Sequence, residues 1–336
     1  MAGGCKDLEG RQILLIGIGF YDYEQSIADE LRRQGATVFL YDELPPNVRQ
    51  GAIATLLRLC KVNISSLVRI HHTKILNEMS AHRIDQVLVI KGEYITPWFL
   101  DALKSAHNGV QLIAYHWDSL VRYPNLVEQQ SHFDRVFTFD HADAERFPRF
   151  KLRPLFFRPE ISQGKNGVSV EMHDLSFVGW LHHGRLHQIE EIYSWAANHN
   201  IRTFFYLYTG WLSMARLSLQ GKGRFVKSRT MGYKDYVRLL HASRAIIDLP
   251  HPEQTGLTMR AIEAIGAGKK LVTTSKDISK YEFYDPNNIF VLNHDEITID
   301  PMFFESPYNE LKDHIVEKYS LNSWICDIFE VNQVSA

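Results

Sequence analysis

The sequence has few cysteines, little net charge and no long apolar run. Its 336 residues contain three isolated cysteines, Cys5, Cys60 and Cys326, and no CxxC pair. This spacing predicts neither a zinc site nor a disulfide framework, and it is typical of a reduced, cytoplasmic protein. The net charge of −2 and the lack of a long Lys/Arg run do not indicate nucleic acid binding. No apolar run approaches the roughly 18–20 residues of a membrane span.

The composition is that of a globular protein with a full core, at 45% hydrophobic and 23% charged residues. In residues 12–158, continuous apolar segments alternate with helix-like segments, which predicts a parallel sheet covered on both faces. The predicted strands are Ile13–Gly17, Thr37–Tyr41, Gln86–Ile90, Val110–Tyr115, Arg135–Phe139 and Leu152–Phe156.

A second alternating unit follows a stretch of low hydrophobic content. Its predicted strands are Leu175–Gly179, Thr203–Tyr208, Ala245–Leu249 and Leu271–Thr274. The predicted fold class is α/β, with two Rossmann-like parallel-sheet domains facing a cleft, because ligands of open α/β sheets lie beyond the carboxyl ends of the strands. The predicted boundaries are an N-terminal domain over 1–158, a linker over 159–173, a C-terminal domain over 174–307 and a helical segment over 308–336.

The most informative segment is a predicted helix that begins at Gly256 and ends in Gly-Ala-Gly268. A glycine at a helix start lets a ligand approach free backbone N–H groups, where the helix dipole favours an anion. Glu263 is placed to accept from ribose hydroxyls. The alternative is an ion pair with Arg260, which would otherwise donate to a diphosphate. The residues predicted to bind a nucleotide sugar here are Thr255, Gly256, Leu257, Arg260 and Glu263.

Gly179 and Arg185 follow the first strand of the second unit. Glycine permits close approach of a phosphate, and arginine provides paired hydrogen bonds to it. A plain strand–helix turn is the alternative. The nearby histidines His182, His183 and His187 suggest a metal, but no Asp, Glu or Cys stands at matching spacing, so we predict none.

Gly17-Ile-Gly19 follows the first strand, with Asp42 ending the second. This pattern is similar to a dinucleotide fingerprint, but Asp22 occupies the position of the third glycine and would repel a pyrophosphate. We interpret Gly19 as a point of acceptor approach. Asp22 is either a general base in the cleft or the N-cap of the next helix.

His116-Trp117-Asp118 lies just past another predicted strand, at the expected ligand edge. A histidine titrates near neutrality and can take a hydroxyl proton, and a tryptophan can stack on a sugar face. The alternative is a structural loop in which His116 and Asp118 pair. Lys91-Gly-Glu93 is a weaker acceptor-side candidate. Basic residues between Lys222 and Arg229 would attract a diphosphate or anionic lipid, or form a solvated loop.

These motifs resemble those of GT-B glycosyltransferases, particularly CgeB-like and bacterial surface-polysaccharide biosynthesis transferases. The resemblance rests on Gly256–Ala264 with Gly268–Val272, on Phe177–Gly179 with Arg185, and on Tyr115–Asp118 followed by Phe133–Asp140. It implies that the C-terminal domain binds the nucleotide sugar and the N-terminal domain binds the acceptor. It also implies that the final helical segment crosses back to the N-terminal domain.

One position departs from that family's pattern. Many retaining members carry Glu, seven residues and then Glu. Glu263 matches the second position, but the first is Thr255, and Glu253 lies two residues too early. The ribose role therefore transfers to Glu263, whereas the donor-sugar contact and retaining stereochemistry do not.

The expected function is transfer of a sugar from a nucleoside diphosphate sugar to a saccharide or lipid-linked saccharide, in surface-polysaccharide assembly. Arg185, Arg260 and the helix start at Gly256 would stabilise the departing diphosphate, with Asp22 or His116 as base if transfer inverts. No cofactor or metal is expected. We expect a cytoplasmic protein, with peripheral contact at the inner membrane face as a further expectation. Alternatives are a nucleotide-sugar epimerase, a non-catalytic saccharide- or nucleotide-binding protein and, last, an NAD-dependent oxidoreductase.

Overall fold

The computed structural model describes residues 6–19, 22–49, 60, 62–124, 126–163, 171–182, 184–293 and 297–332. Its described residues form two compact units. Unit 1 comprises those of Met1–Pro154, Glu253–Gly256 and Leu321–Ala336, and unit 2 those of Leu155–Pro252 and Leu257–Ser320.

Unit 1 is built on a parallel sheet that has six strands within the described residues, in the order β2-β1-β3-β4-β5-β6. The strands are β1 (Gln12–Gly17), β2 (Thr37–Asp42), β3 (Gln86–Ile90), β4 (Gln111–His116), β5 (Arg135–Thr138) and β6 (Phe150–Leu152). The helices before residue 150 are α1 (Tyr23–Arg33), α2 (Pro46–Arg49), α3 (Ser65–Met79), α4 (Pro97–Ala106), α5 (Leu126–Gln129) and α6 (His141–Arg146), with 3-10 turns at Lys6–Leu8 and Gln130–His132.

Unit 2 repeats this plan, with described strands in the order β12-β11-β10-β7-β8-β9, all parallel. They are β7 (His173–Trp180), β8 (Thr203–Tyr208), β9 (Val226–Lys227), β10 (Ser243–Asp248), β11 (Lys270–Thr273) and β12 (Ile289–Val291). The helices are α7 (Pro159–Gln163), α8 (Arg185–Asn198), α9 (Trp211–Leu219), α10 (Tyr233–His241), α11 (Met259–Gly266), α12 (Met302–Glu305) and α13 (Asp313–Lys318), with a 3-10 turn at Lys276–Lys280.

The last helix, α14 (Leu321–Phe329), belongs to unit 1. Its Trp324 is fully buried and packs edge-on against Tyr115 of β4, with the ring centroids 4.8 Å apart. Asn322 accepts a hydrogen bond of 2.8 Å from Gln34, at the end of α1. This helix therefore completes the core of unit 1.

Predicted boundaries differ from the structure at three places where the physical cause is clear. The final strand of unit 1 ends at Leu152, because Pro154 has no N–H to continue the ladder. The start of the predicted linker is helix α7, which Pro159 begins and the buried Ile161 anchors; the linker's residues 164–170 lie outside the described residues. The tail forms two helices, because the backbone of Tyr319 and Ser320 pairs with Phe157 instead.

The described residues include no helix long and apolar enough to cross a bilayer. Cys326 forms a disulfide bond, whereas Cys60 is a free, exposed thiol. The prediction of a chain without a disulfide framework is therefore wrong at Cys326. Three scattered cysteines do not reveal which of them approach each other in the fold.

Gly266, the last residue of α11, tests how tightly that helix packs within unit 2. A Cβ at this position would lie 2.5 Å from Cγ of Phe157, whose ring is 3% exposed. We expect Gly266→Ala to lower the free energy of unfolding by about 1–3 kcal/mol through overpacking. Gly210→Ala, where nothing lies within 4 Å, should stay within about 0.5 kcal/mol of the parent. Equal urea midpoints for the two variants would contradict this packing.

Candidate functional site

The carboxyl ends of β7 and β10 form the switch point of the sheet in unit 2. From β7 the chain runs through β8 to β9 at one edge, and from β10 through β11 to β12 at the other. Open α/β sheets bind ligands at such a point. β7 ends at Trp180 and β10 at Asp248, so side chains near these residues are the first candidates for a ligand site.

Asp248 organises this point. Its carboxylate is fully buried and accepts hydrogen bonds from Thr258 Oγ1 at 2.7 Å and Arg260 Nη1 at 2.8 Å. Arg260 Nε also donates to the backbone oxygen of Val178 at 3.0 Å. The second oxygen of Asp248 has no hydrogen-bond partner among the described residues. The guanidinium of Arg260 is thus fixed across the ends of β7 and β10.

Gly179 allows this arrangement. A Cβ at residue 179 would lie 2.9 Å from Arg260 Nη2 and 2.8 Å from Cζ of Phe177. The close approach predicted at Gly179 therefore exists, but the chain's own guanidinium makes it. Contact between Gly179 and a phosphate stays a prediction.

Arg185, the first residue of α8, brings a second guanidinium to the switch point. Its Nη1 donates to the backbone oxygen of Trp180 at 2.8 Å, and its Nη2 donates to that of Leu249. Burial, and then the positive charge of Arg260, lower the pKa of Arg185 to about 10. Arg185 stays charged at neutral pH. Two cations, Arg185 and Arg260, therefore lie near one carboxylate, that of Asp248. This excess of positive charge favours an anionic ligand.

Glu263 lies in the interior of α11 and is 2% exposed. Burial, and then the charge of Glu263, raise the pKa values of Tyr233 and Tyr236 well above their usual range. Arg260 forms its ion pair with Asp248 at 2.8 Å, and Tyr236 interacts with the carboxylate of Glu263. A role for Glu263 in holding ribose stays a prediction.

The helix start predicted at Gly256 is wrong. Helix α11 begins at Met259, and the hydroxyl of Thr258 caps it by accepting from the N–H of Ala261 at 3.3 Å. Leu257 is 2% exposed, and its contact with a nucleotide sugar stays a prediction. Gly256 precedes the cap and lies outside the helix.

The N–H groups expected to bind a diphosphate at Thr255 and Gly256 are occupied by Asp140, within unit 1. Asp140 Oδ2 accepts from both N–H groups, at 2.8 and 3.1 Å, and Oδ1 accepts from the Thr255 hydroxyl at 2.6 Å. Oδ1 also accepts from the N–H of Asp143, which caps α6. The prediction of free donors at Thr255 and Gly256 is therefore wrong for this structure, because a carboxylate of the chain takes the place of the anion.

At the end of β1 and in the loop that follows it, which contain Gly17 and Gly19, a carboxylate of the protein also binds the backbone N–H groups. Glu24 Oε1 accepts from the N–H groups of Ile18 and Gly19, each at 3.0 Å. A Cβ at Gly17 would lie 2.4 Å from Cγ of Glu24. The pyrophosphate position of a dinucleotide fingerprint is thus taken by a carboxylate, which argues against the oxidoreductase alternative.

Gly19 does not offer the open approach that was predicted for an acceptor. A Cβ there would lie 1.4 Å from Arg49 Nη1, so the guanidinium fills that space. Arg49 donates to the backbone oxygen of Ile18 at 3.1 Å and pairs with Asp42 at 2.8 Å. The glycine makes room for this ion pair.

Asp22 stands immediately before α1 in a left-handed conformation, with φ 59°. Its side chain is exposed and makes no capping hydrogen bond. Asp22 therefore occupies the predicted N-cap position of α1, but its side chain does not satisfy a backbone N–H of the helix. Its role as a base stays a proposal.

His116 is 3% exposed, at the end of β4. Burial lowers its pKa to about 4, and Nδ1 lies 3.2 Å from the backbone oxygen of Lys91. The predicted pairing of His116 with Asp118 is not the contact seen. A buried imidazole of low pKa is a weak base that an acceptor hydroxyl does not reach, which counts against His116 as the catalytic base.

Asp118 pairs instead with Lys91 at 3.5 Å and Arg122 at 3.3 Å. Lys91 also pairs with Glu93 at 2.8 Å. Burial raises the pKa of Asp118 despite these cations. Trp117 is partly exposed. The structure thus brings two predicted acceptor-side segments, 91–93 and 116–118, together at the ends of β3 and β4.

Several residues that shape these sites were not predicted, notably Glu24, Asp140 and Asp248. Asp248 could have been predicted from the local sequence, because it ends a buried, β-branched strand. The carboxyl end of such a strand is where open α/β sheets bind ligands. No cluster of His, Cys, Asp or Glu within the described residues could hold a metal ion. His187 lies 3.6 Å from Glu191, and His183 lies outside the described residues.

Searches for sequence relatives find no matching family model and no matching curated protein. Solved structures do match over nearly the whole chain. AviGT4, a glycosyltransferase involved in avilamycin A biosynthesis, is 15% identical with a TM-score of 0.59, over 95% of this chain and 96% of AviGT4. Anabaena HepE, solved with UDP and glucose, is 13% identical with a TM-score of 0.58, over 95% and 98%.

A trehalose-phosphate synthase from Burkholderia xenovorans, solved with glucose-6-phosphate, is 12% identical with a TM-score of 0.60, over 96% of this chain and 99% of that one. The chain has the GT-B fold. At these identities the likeness establishes the fold, and the GT-B resemblance of the sequence motifs is confirmed at that level.

Glu43 provides a test of the buried charges in this GT-B chain. It follows β2, is 1% exposed, and burial raises its pKa from 4.5 to about 8. Between pH 4.5 and about 8, Glu43 is protonated in the folded chain and ionised in the unfolded chain. The free energy of unfolding therefore falls as the pH rises through this range. The loss is up to about 1.4 kcal/mol per pH unit. Glu43→Gln should therefore gain stability relative to the parent across this range.

Urea unfolding of the parent, Glu43→Gln and the exposed control Glu145→Gln across that range measures the effect. The control should track the parent at every pH. A difference between Glu43→Gln and the parent that stays constant with pH would contradict the buried, protonated carboxyl.

Proposed function

We propose that this chain is a glycosyltransferase that moves a sugar from a nucleoside diphosphate sugar to a saccharide hydroxyl. The observation that carries the proposal is the pair of guanidinium groups, Arg185 and Arg260, at the switch point of unit 2. A departing diphosphate carries the charge that develops during transfer, so fixed cations at its position lower the barrier. The known complexes of proteins with this fold support a uridine nucleotide, since HepE was solved with UDP and glucose.

The roles proposed for individual residues follow from this site. Arg185 and Arg260 would bind the diphosphate, and Glu263 would accept from the ribose. The two arginines supply the positive charge that a divalent ion would otherwise bring, so we propose transfer without metal or cofactor. Unit 1 would bind the acceptor, with Trp117 and Asp118 at its edge. Surface-polysaccharide assembly with a lipid-linked saccharide, on the cytoplasmic membrane face, is the proposed setting.

A non-catalytic nucleotide-binding protein is the second candidate. It is favoured by Asp140, which occupies the N–H groups of Thr255 and Gly256. Incubation with UDP-glucose, UDP-galactose or UDP-N-acetylglucosamine and a panel of saccharide acceptors distinguishes these two candidates, and also an epimerase. A transferase gives a coupled product and UDP, an epimerase converts the donor alone, and a binding protein does neither.

The diphosphate and ribose roles are separable by mutation. Arg185→Gln removes a charge that faces the diphosphate, so affinity for UDP should fall about tenfold, about 1.4 kcal/mol, with a smaller loss for UMP. Glu263→Gln should weaken UDP and UMP equally, because both carry the ribose. Isothermal titration calorimetry gives these constants, and Arg238→Gln, on the exposed face of α10, is the matched control. Parent-like UDP affinity in Arg185→Gln would refute the diphosphate site.

Asp22 is the remaining candidate for the base. If it removes the acceptor proton, Asp22→Asn should slow transfer on the order of 10²–10⁴-fold while UDP affinity is unchanged. The melting temperature should stay at the parent value, because the side chain makes no capping hydrogen bond. Asp29→Asn, exposed on the same helix, controls for surface charge. Transfer at the parent rate would instead support a retaining mechanism without a protein base.

A further inference from the structure

Helix α9 (Trp211–Leu219) presents apolar side chains to solvent. Trp211, Leu212 and Leu219 are 67%, 65% and 91% exposed, and no residue of this helix is buried. At about 100° per residue, these three side chains and Ala215 fall within one arc of about 100°. They form a continuous apolar face, which we call the α9 face. Helix α9 therefore directs its apolar side to solvent, whereas most amphipathic helices direct that side to the core.

The other side of α9 contacts its own unit. Met214 and Leu217 are partly buried. The N–H of Lys222 bonds to the backbone oxygen of Leu217 at 2.8 Å, and the N–H of Thr209 bonds to that of Lys227 at 2.9 Å. The segment after the helix therefore returns along it, with Lys222 at the Leu219 end and Lys227 at the Trp211 end.

Exposed positive charge lies beside the α9 face and near both ends of the helix. Arg216 lies on the helix beside Leu212, and Lys222, Lys227 and Arg229 are exposed. Within the described residues, none of these four side chains forms an ion pair. Residues 192–234 contain no Asp or Glu, although the whole chain has a net charge of −2. The positive charge is thus a local feature of this surface.

We propose that the α9 face is a membrane-contact surface that binds anionic lipid. The apolar side chains of such a helix insert at the boundary between the headgroups and the acyl chains. Neighbouring cations attract anionic headgroups. Tryptophan is favoured at that boundary, since its ring is apolar and its N–H remains accessible. A second copy of the chain is a poorer occupant, because a two-fold interface would bring the same cations face to face. This contact goes beyond transferase activity, and the two proposals can fail separately.

Vesicle co-sedimentation tests the proposal. The parent should bind vesicles that contain phosphatidylglycerol and bind pure phosphatidylcholine vesicles much less, with binding weakened by salt. Trp211→Ser/Leu219→Ser should reduce partitioning about tenfold or more. Arg216→Gln/Lys222→Gln should remove the preference for anionic vesicles. Ile70→Ser is the control, because Ile70 is also 67% exposed but lies in unit 1.

The variants alter exposed side chains outside the donor site, so melting temperature, UDP affinity and transfer to soluble acceptors should match the parent. Parent-like partitioning of Trp211→Ser/Leu219→Ser would overturn the proposal. So would a lack of binding to phosphatidylglycerol vesicles. Light scattering that shows a dimer of the parent, dissociated by the same variant, would assign the α9 face to self-association instead.

Discussion

The buried carboxylate of Asp248 determines the geometry at the carboxyl ends of β7 and β10 in unit 2. It binds Thr258, whose hydroxyl caps α11, and Arg260 in the first turn of the same helix. A buried charge is costly unless it is paired and hydrogen-bonded, so these contacts fix one another. The end of β10, the start of α11 and the position of one guanidinium are set by a single side chain. Arg185 then lies beside a cation that is already held in place.

The glycine loops of the chain show a second common principle, in which carboxylates of the protein satisfy backbone N–H groups that an external anion could also bind. Asp140 does so at Thr255 and Gly256, and Glu24 at Ile18 and Gly19. Each glycine is required for close packing. A Cβ at Gly256 would lie 2.5 Å from the backbone oxygen of Phe139. In both loops the ligand-like partner is part of the chain.

The fold was largely predictable because its strands are continuous apolar runs. Gln86–Ile90 and Thr203–Tyr208 have the predicted bounds. The candidate sites were less predictable than the fold. A glycine indicates that another group comes close to the backbone, but it does not identify that group as a ligand or as a side chain of the protein. Asp140 and Thr255 are 115 residues apart in sequence, and no local spacing connects them. His116 has the chemistry of a base, but its burial depends on packing that the sequence motif does not contain.

The placement of α14 in unit 1 has a consequence for biosynthesis. Tyr115 of β4 packs against Trp324, and the residues of unit 2 are translated between them. A ribosome that has completed the six strands of the first sheet has not yet made the side chain that fills this position. The face of the nascent sheet that contains Tyr115 is therefore covered by Trp324 only after the second unit has been translated. Stalled or prematurely terminated translation would leave an apolar opening beside Tyr115, a feature that chaperones and proteases recognise.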